Sequence, residues 1–194
     1  MNFGSPQIAL YGWLAQGLLL AALAATGIAG ARARGWRLPE HVAPLLCLCA
    51  GIAAFLPLPP VGDLAAWSHG ALGAPSFTLV QLALLRVLGR PLPPPPGRGP
   101  GALLLLLALL FYLTALGLGP LDPYGWGFHP HFLFAALLPL FIFLYQQHQG
   151  GWLLILSLDL MAYTLGLYGN LWDTLFDPLL PLILALHLAR KKVS

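Results

Sequence analysis

The sequence predicts an all-α protein, a polytopic bundle of transmembrane helices, on three observations. Hydrophobic residues make up 59% of the 194 and mean hydropathy is +0.81, above the roughly 45–50% apolar share of soluble domains. These residues fall into seven runs, near the length of about 20 that a spanning helix needs. The charges sort by sign onto alternate breaks between runs: Arg32, Arg34 and Arg37, then Arg86, Arg90 and Arg98, then Arg190, Lys191 and Lys192 on one side, and Asp63, Asp122, Asp173 and Asp177 on the other. Lys and Arg concentrate on the cytoplasmic side of multi-pass proteins. We therefore read seven spans with the N-terminus outside and the C-terminus inside, in a bacterial inner (cytoplasmic) membrane.

The first run, residues 6–31, ends in three arginines and has no positive charge before it, so it reads as an uncleaved span, not a signal peptide. The second, 39–58, closes at Pro57, Pro59 and Pro60, and an outer loop then carries Asp63, Trp67 and His69. The third, 73–89, is short and holds Gln81 and Arg86. Its alternative is a re-entrant segment in a six-span protein. That alternative would reverse the side of every later break and place the basic tail outside, against the charge rule. Residues 90–100, with prolines at 93–96, cannot continue a helix and read as a stiff cytoplasmic connector. It divides a single transmembrane domain into a three-helix half (1–89) and a four-helix half (101–194).

The fourth run, 101–119, leads to an outer loop at 120–130 that is dense in Gly, Pro and aromatics. The fifth (131–145) and sixth (151–168) turn through 146–150 on the inside. The last helix is expected to start at Asp177-Pro178, because Asp caps helix starts and Pro suits the first helical position. The tryptophans fit this map: Trp13, Trp67, Trp126 and Trp172 fall near the outer interface, Trp36 and Trp152 near the inner one, as an aromatic belt requires. Ala21, Ala25 and Ala29 have the small-residue spacing of a helix packing seam. Cys47 and Cys49, two residues apart, point to different helix faces and are not expected to pair.

Asp159 is the acid nearest the middle of a run, about nine residues or roughly 13 Å from the inner end. A carboxylate there costs on the order of 2.5–3.5 kcal/mol unless it is paired, hydrated or protonated. It is expected to face the bundle, with Gln16, Gln81, Arg86, Tyr112, Thr114 and His187 as candidate partners. A proton or cation relay and a packing hydrogen bond both account for it. For Arg86, four residues from the inner end, we expect snorkelling to the cytoplasmic interface over a phosphate contact.

The outer loops supply a second candidate set: Asp63, Trp67 and His69; Asp122, Tyr124, Trp126, His129 and His131; and Asn170, Trp172, Asp173 and Asp177. Acids beside aromatic rings suit docking of a partner, or contact with a sugar or lipid headgroup. A divalent metal at the His and Asp residues is a weaker reading, since His129-Pro130-His131 lacks the spacing that puts two ligands on one helical face. No cofactor is expected. The only lysines lie at the tail, which excludes an intramembrane Schiff base, and a single intramembrane His excludes bis-histidine haem. No Walker, His-Glu-x-x-His or Gly-x-Ser-x-Gly motif is present. Despite a net charge of +3, the small basic clusters beside apolar runs point to anionic headgroups, not nucleic acid. The expectation is a non-catalytic subunit or accessory protein of a larger envelope complex, with membrane lipids and an integral-membrane protein as partners. A small membrane enzyme or transporter using Asp159 or the outer Asp/His set is the alternative.

Overall fold

Apolar runs punctuated by Gly, Pro and capping residues become helices, and the described residues of the computed structural model, 6–59 and 62–190, hold nine of them. Pro60, Lys191 and Lys192 lie outside the described residues. The chain divides into two compact units, Met1–Leu92 and Pro93–Ser194.

The first unit is organised by α1 (Pro6–Ala33), with α2 (Val42–Ala53), α3 (Leu64–Leu72) and α4 (Phe77–Val87) packed along it. Two residue pairs, Pro57↔Asp63 and Leu58↔Gly62, form a small antiparallel ribbon between β1 (Pro57–Leu58) and β2 (Gly62–Asp63). Glycine sets how closely the helices meet. A Cβ on Gly17 would stand 2.6 Å from the Phe55 ring and 3.2 Å from the Gly51 carbonyl oxygen, so α1 and α2 cross nearly backbone to backbone. Ala21 borders this crossing and is buried. The packing seam thus lies at Gly17, Ala21 and Gly51, earlier along α1 than the expected Ala21–Ala25–Ala29 stripe, because a missing side chain permits closer approach than a methyl does. Cys47 is buried and Cys49 exposed, both as free thiols.

The second unit contains α5 (Arg98–Ala115), a 3₁₀ turn at Gly125–Phe128, α6 (His131–Gln146), α7 (Gly150–Thr164), α8 (Leu171–Leu175) and α9 (Leu179–Arg190). α5 begins at Arg98, inside the expected connector, since a proline at position 100 falls in the first helical turn, where no amide partner is lost. Each proline pushes the residue before it toward an extended conformation, and residues 93–96 respond with a period of three: Pro93 and Pro96 are half-buried, Pro94 and Pro95 exposed. The stretch is held at the start of α7, where Trp152 Nε1 donates to the Pro94 carbonyl at 2.9 Å.

All seven apolar runs become helices, but among the described residues only two, Leu10–Ala33 and Arg98–Ala115, are long and apolar enough to cross a membrane. The second and third runs, 39–58 and 73–89, are trimmed at both ends. α2 has 12 residues, about 18 Å at the helical rise, and α4 has 11. Seven full spans are therefore not seen as seven long helices. Two stretches expected to be loop are also helical, α3 and α8. Asp63 caps α3 by accepting from the Ala66 amide at 2.6 Å, and Asn170 caps α8.

Candidate functional site

Local capping chemistry builds a dense polar cluster in the second unit. Asp122 accepts from the Gly125 amide at 2.9 Å and turns the chain into the 3₁₀ segment. Just before that segment, the Pro123 and Tyr124 carbonyls point at the α8 loop. Asn170 Oδ1 accepts from the Trp172 amide (2.8 Å), while its Nδ2 donates to the Tyr124 carbonyl (3.1 Å). Trp172 Nε1 donates to the Pro123 carbonyl at 2.8 Å. The Tyr124 hydroxyl is shared between both carboxylate oxygens of Asp173, at 3.0 Å each. Two loops some 49 residues apart are thus zipped along one line.

The zipper is tight. A Cβ on Gly127 would overlap Asn170 Oδ1, and Asn170 and Thr174 are fully or almost fully buried. Below it, Phe111 packs on Trp172 (centroids 4.8 Å apart) and Tyr112 stacks on Phe176 at 5.5 Å. Asp177 then starts α9 by accepting from the amides of Leu179 and Leu180 at 2.8 and 3.2 Å. Burial raises the Asp173 carboxyl above its usual range, partly offset by the hydrogen bond from Tyr124. Burial, the Asp173 charge and the bond to it push the Tyr124 hydroxyl up to about 12. The pair is half-buried, the Tyr124 hydroxyl donating to the Asp173 carboxylate.

The remaining outer candidates stand apart from the zipper. Trp126, His129 and His131 are exposed, with Trp126 edge-on to Phe132 at 5.6 Å. In the first unit, Asp63 is committed to its cap and accepts from Trp13 Nε1 at 3.3 Å. Trp67 is 57% exposed. His69 lies over Gly12, with its Nδ1 buried and without a hydrogen-bond partner among the described residues. Among the described residues no group of three or more His, Cys, Asp or Glu is placed to hold a metal ion. Backbone amides and Tyr124 engage the carboxylates of Asp63, Asp122, Asp173 and Asp177, while His129 and His131 are exposed and His69 lies against Gly12.

The apolar-run candidates divide between the units. Gln16 is 4% exposed and donates to the Gly73 carbonyl at 3.2 Å. Gln81 is half-buried on α4, and Arg86 donates from Nε to Thr26 Oγ1 at 3.2 Å. Asp159 is wholly buried, in one stripe of α7 with Ile155 and Ala162. Thr114 turns its hydroxyl back to the Leu110 and Phe111 carbonyls, both at 2.9 Å. His187 has a buried Nε2 without a partner among the described residues. Thr174, Gly127 and Thr26 escaped the sequence reading. Only the Gly-Trp-Gly of the 3₁₀ turn carried a signal, a glycine where another chain passes closely.

No known protein family matches this chain, and neither a curated protein nor a solved structure is detectably similar to it.

Proposed function

We propose that the chain is a multi-pass inner-membrane subunit or accessory protein of a larger bacterial envelope complex, with its seven apolar segments placed N-terminus outside and C-terminus inside. The surface of α5 carries this reading. Leu103, Leu106, Leu107 and Leu109 are each more than half exposed, and only Gly101 and Ala108 of that helix are buried. Leaving such half-exposed side chains in water forfeits about 1 kcal/mol each, whereas lipid or an apolar partner solvates them. The alternation of basic and acidic breaks supports the orientation. The short helices are accommodated by local thinning of the bilayer or by contact with partner helices. The zippered loops of the second unit supply a rigid outer face for docking or ligand contact.

Alkaline-phosphatase fusions test the topology: a fusion after Gly125 is expected to be active, and fusions after Pro95 and Gln149 silent. Activity at Pro95 would overturn the orientation. Purification from the native membrane in mild detergent, followed by mass spectrometry, is expected to yield a stoichiometric membrane-protein partner. Isolation as a lone, active monomer would overturn the subunit reading.

The full burial of Asp159 supports a second reading, a small membrane enzyme or transporter acting on a lipid-linked or polar substrate from the outer side. An intramembrane acid marks such a site by default. Asp159→Asn would then abolish activity at unchanged folded yield, whereas parallel loss of both marks a packing role.

A further inference from the structure

Arg86 stands in the last turn of α4, and its side chain is laid across to α1 instead of extending freely toward the helix end. The seat is specific. Thr26 Oγ1 donates to the Ala22 carbonyl at 2.8 Å, which leaves its lone pair to accept Arg86 Nε at 3.2 Å. With Nε used, the two Nη nitrogens keep four N–H donors in a planar fork. The α4 end does not need them, because Gly89 and Arg90 amides cap its carbonyls at Arg86 and Leu85. No carboxylate among the described residues pairs with Arg86: Asp63 is occupied by its cap and Trp13, and Glu40 is exposed in the loop after α1.

Thr26 is exposed and lies seven residues before the end of α1, about 10 Å along the helix. The fork therefore sits at the surface of the unit, inside the apolar length of α1, as a cation seated on Thr26 without a counter-charge among the described residues. Exposed Arg32, Arg34 and Arg90 follow on the same ends of α1 and α4. A guanidinium at this depth is costly when unpaired, and its fork matches two oxygens of a phosphate.

We propose that Arg86, seated on Thr26, binds a phosphate oxyanion, supplied by the phosphodiester of an anionic phospholipid of the inner leaflet. This rests on the membrane reading above. The headgroup is drawn below its usual level to reach the fork, and Arg32 and Arg90 add attraction for net negative lipid. A free phosphate offers the same oxygens but has no acyl chains to occupy the α1–α4 surface.

The test uses the whole chain in a non-ionic detergent, titrated with phosphatidylglycerol, diacylglycerol or inorganic phosphate and read by native mass spectrometry and thermal shift. Wild type is expected to retain one phosphatidylglycerol about ten-fold more tightly than diacylglycerol, the weight of a charge-assisted hydrogen bond. Arg86→Gln removes most of that preference, leaving what Arg32 and Arg90 supply. Thr26→Val, which keeps the charge and loses the seat, weakens it about three-fold, and remains the informative variant if Arg86→Gln lowers folded yield. Equal phosphatidylglycerol binding by wild type and both variants overturns the site, and stabilisation by inorganic phosphate alone overturns the lipid source. Carbonate extraction of the same membranes separates the two readings: a chain that resists extraction but lacks the preference overturns only the site, and a chain released by carbonate overturns both.

Discussion

The two units hold their helices by opposite means. In the first, one long helix is approached closely by its neighbours through missing side chains, at Gly12 under His69 and at Gly17 against Gly51 and Phe55. In the second, α5 is largely bare along its length and order comes from the loop ends, through Tyr124, Asn170, Trp172 and Asp173. The difference teaches how an apolar chain gains specificity when burying leucine distinguishes no one packing from another. Close backbone approach adds dispersion contacts at fixed positions, and hydrogen bonds among otherwise orphaned loop groups add direction.

Breaking each device should therefore damage only its own unit. The largest effect is expected from Gly17→Val, whose side chain meets backbone at Gly51 as well as the Phe55 ring. Overpacking of this kind costs about 1–3 kcal/mol or more. Folded yield in detergent should fall sharply, with hydrogen exchange rising in residues 42–56 and unchanged in 170–177. Exchange rising equally in both stretches would erase the contrast between the units.

Gly127→Ala comes next, because the added methyl overlaps Asn170 Oδ1 and prises the zipper apart. We expect about 1–3 kcal/mol, read as faster exchange at 122–128 and 170–176, with the first unit silent. Unchanged exchange in the zipper would show that Asn170 does not hold it.

Tyr124→Phe sharpens the picture through pH. A hydroxyl whose folded pKa is raised contributes stability that is complete below about 10, its unfolded value, and lost as pH climbs through about 12. Asp173, raised by burial, works in the same sense at the acid end: its neutral form is favoured, so acidification supports the fold there. Wild type should lose melting temperature between pH 10 and 12. Tyr124→Phe should start lower by about 1 kcal/mol and lose less over that interval. Parallel curves would remove the pair from the account of the zipper.

Asp63→Ala is expected to have the smallest effect, about 1 kcal/mol for a lost N-cap, together with the Trp13 bond. Exchange should rise within residues 64–72 alone. Equal protection in the variant would mean that His69 on Gly12 suffices to hold α3.

Much of the helical pattern was legible because hydropathy is additive along the chain. Every apolar run became a helix, and the Asp177-Pro178 start of α9 follows from capping chemistry within four residues. Helix ends were less legible. The runs around α2 and α4 extend beyond the helices, since leucine and alanine are as apolar in a turn as in a helix, while Pro57 and the Ser76 cap decide where the backbone changes course. The outer candidates were visible as types but not as a group. Tyr124 and Asp173 signal nothing about each other across 49 residues. Their pairing depends on loop closure, which no local pattern records. Asp159 was expected to face inward, and the structure buries it completely.

By itself, then, the sequence determined an all-helical chain, the number and order of its apolar segments and the sign of charge at each break, because these depend on residue type and neighbour spacing. Tertiary structure alone decided that Gly17 meets Gly51, that Arg86 turns to Thr26, that short helices occupy two stretches read as loops, and that the Tyr124 hydroxyl donates to Asp173. Each is a matter of distance between residues far apart in the chain, settled by which backbones can approach and which polar groups remain to be satisfied when they do.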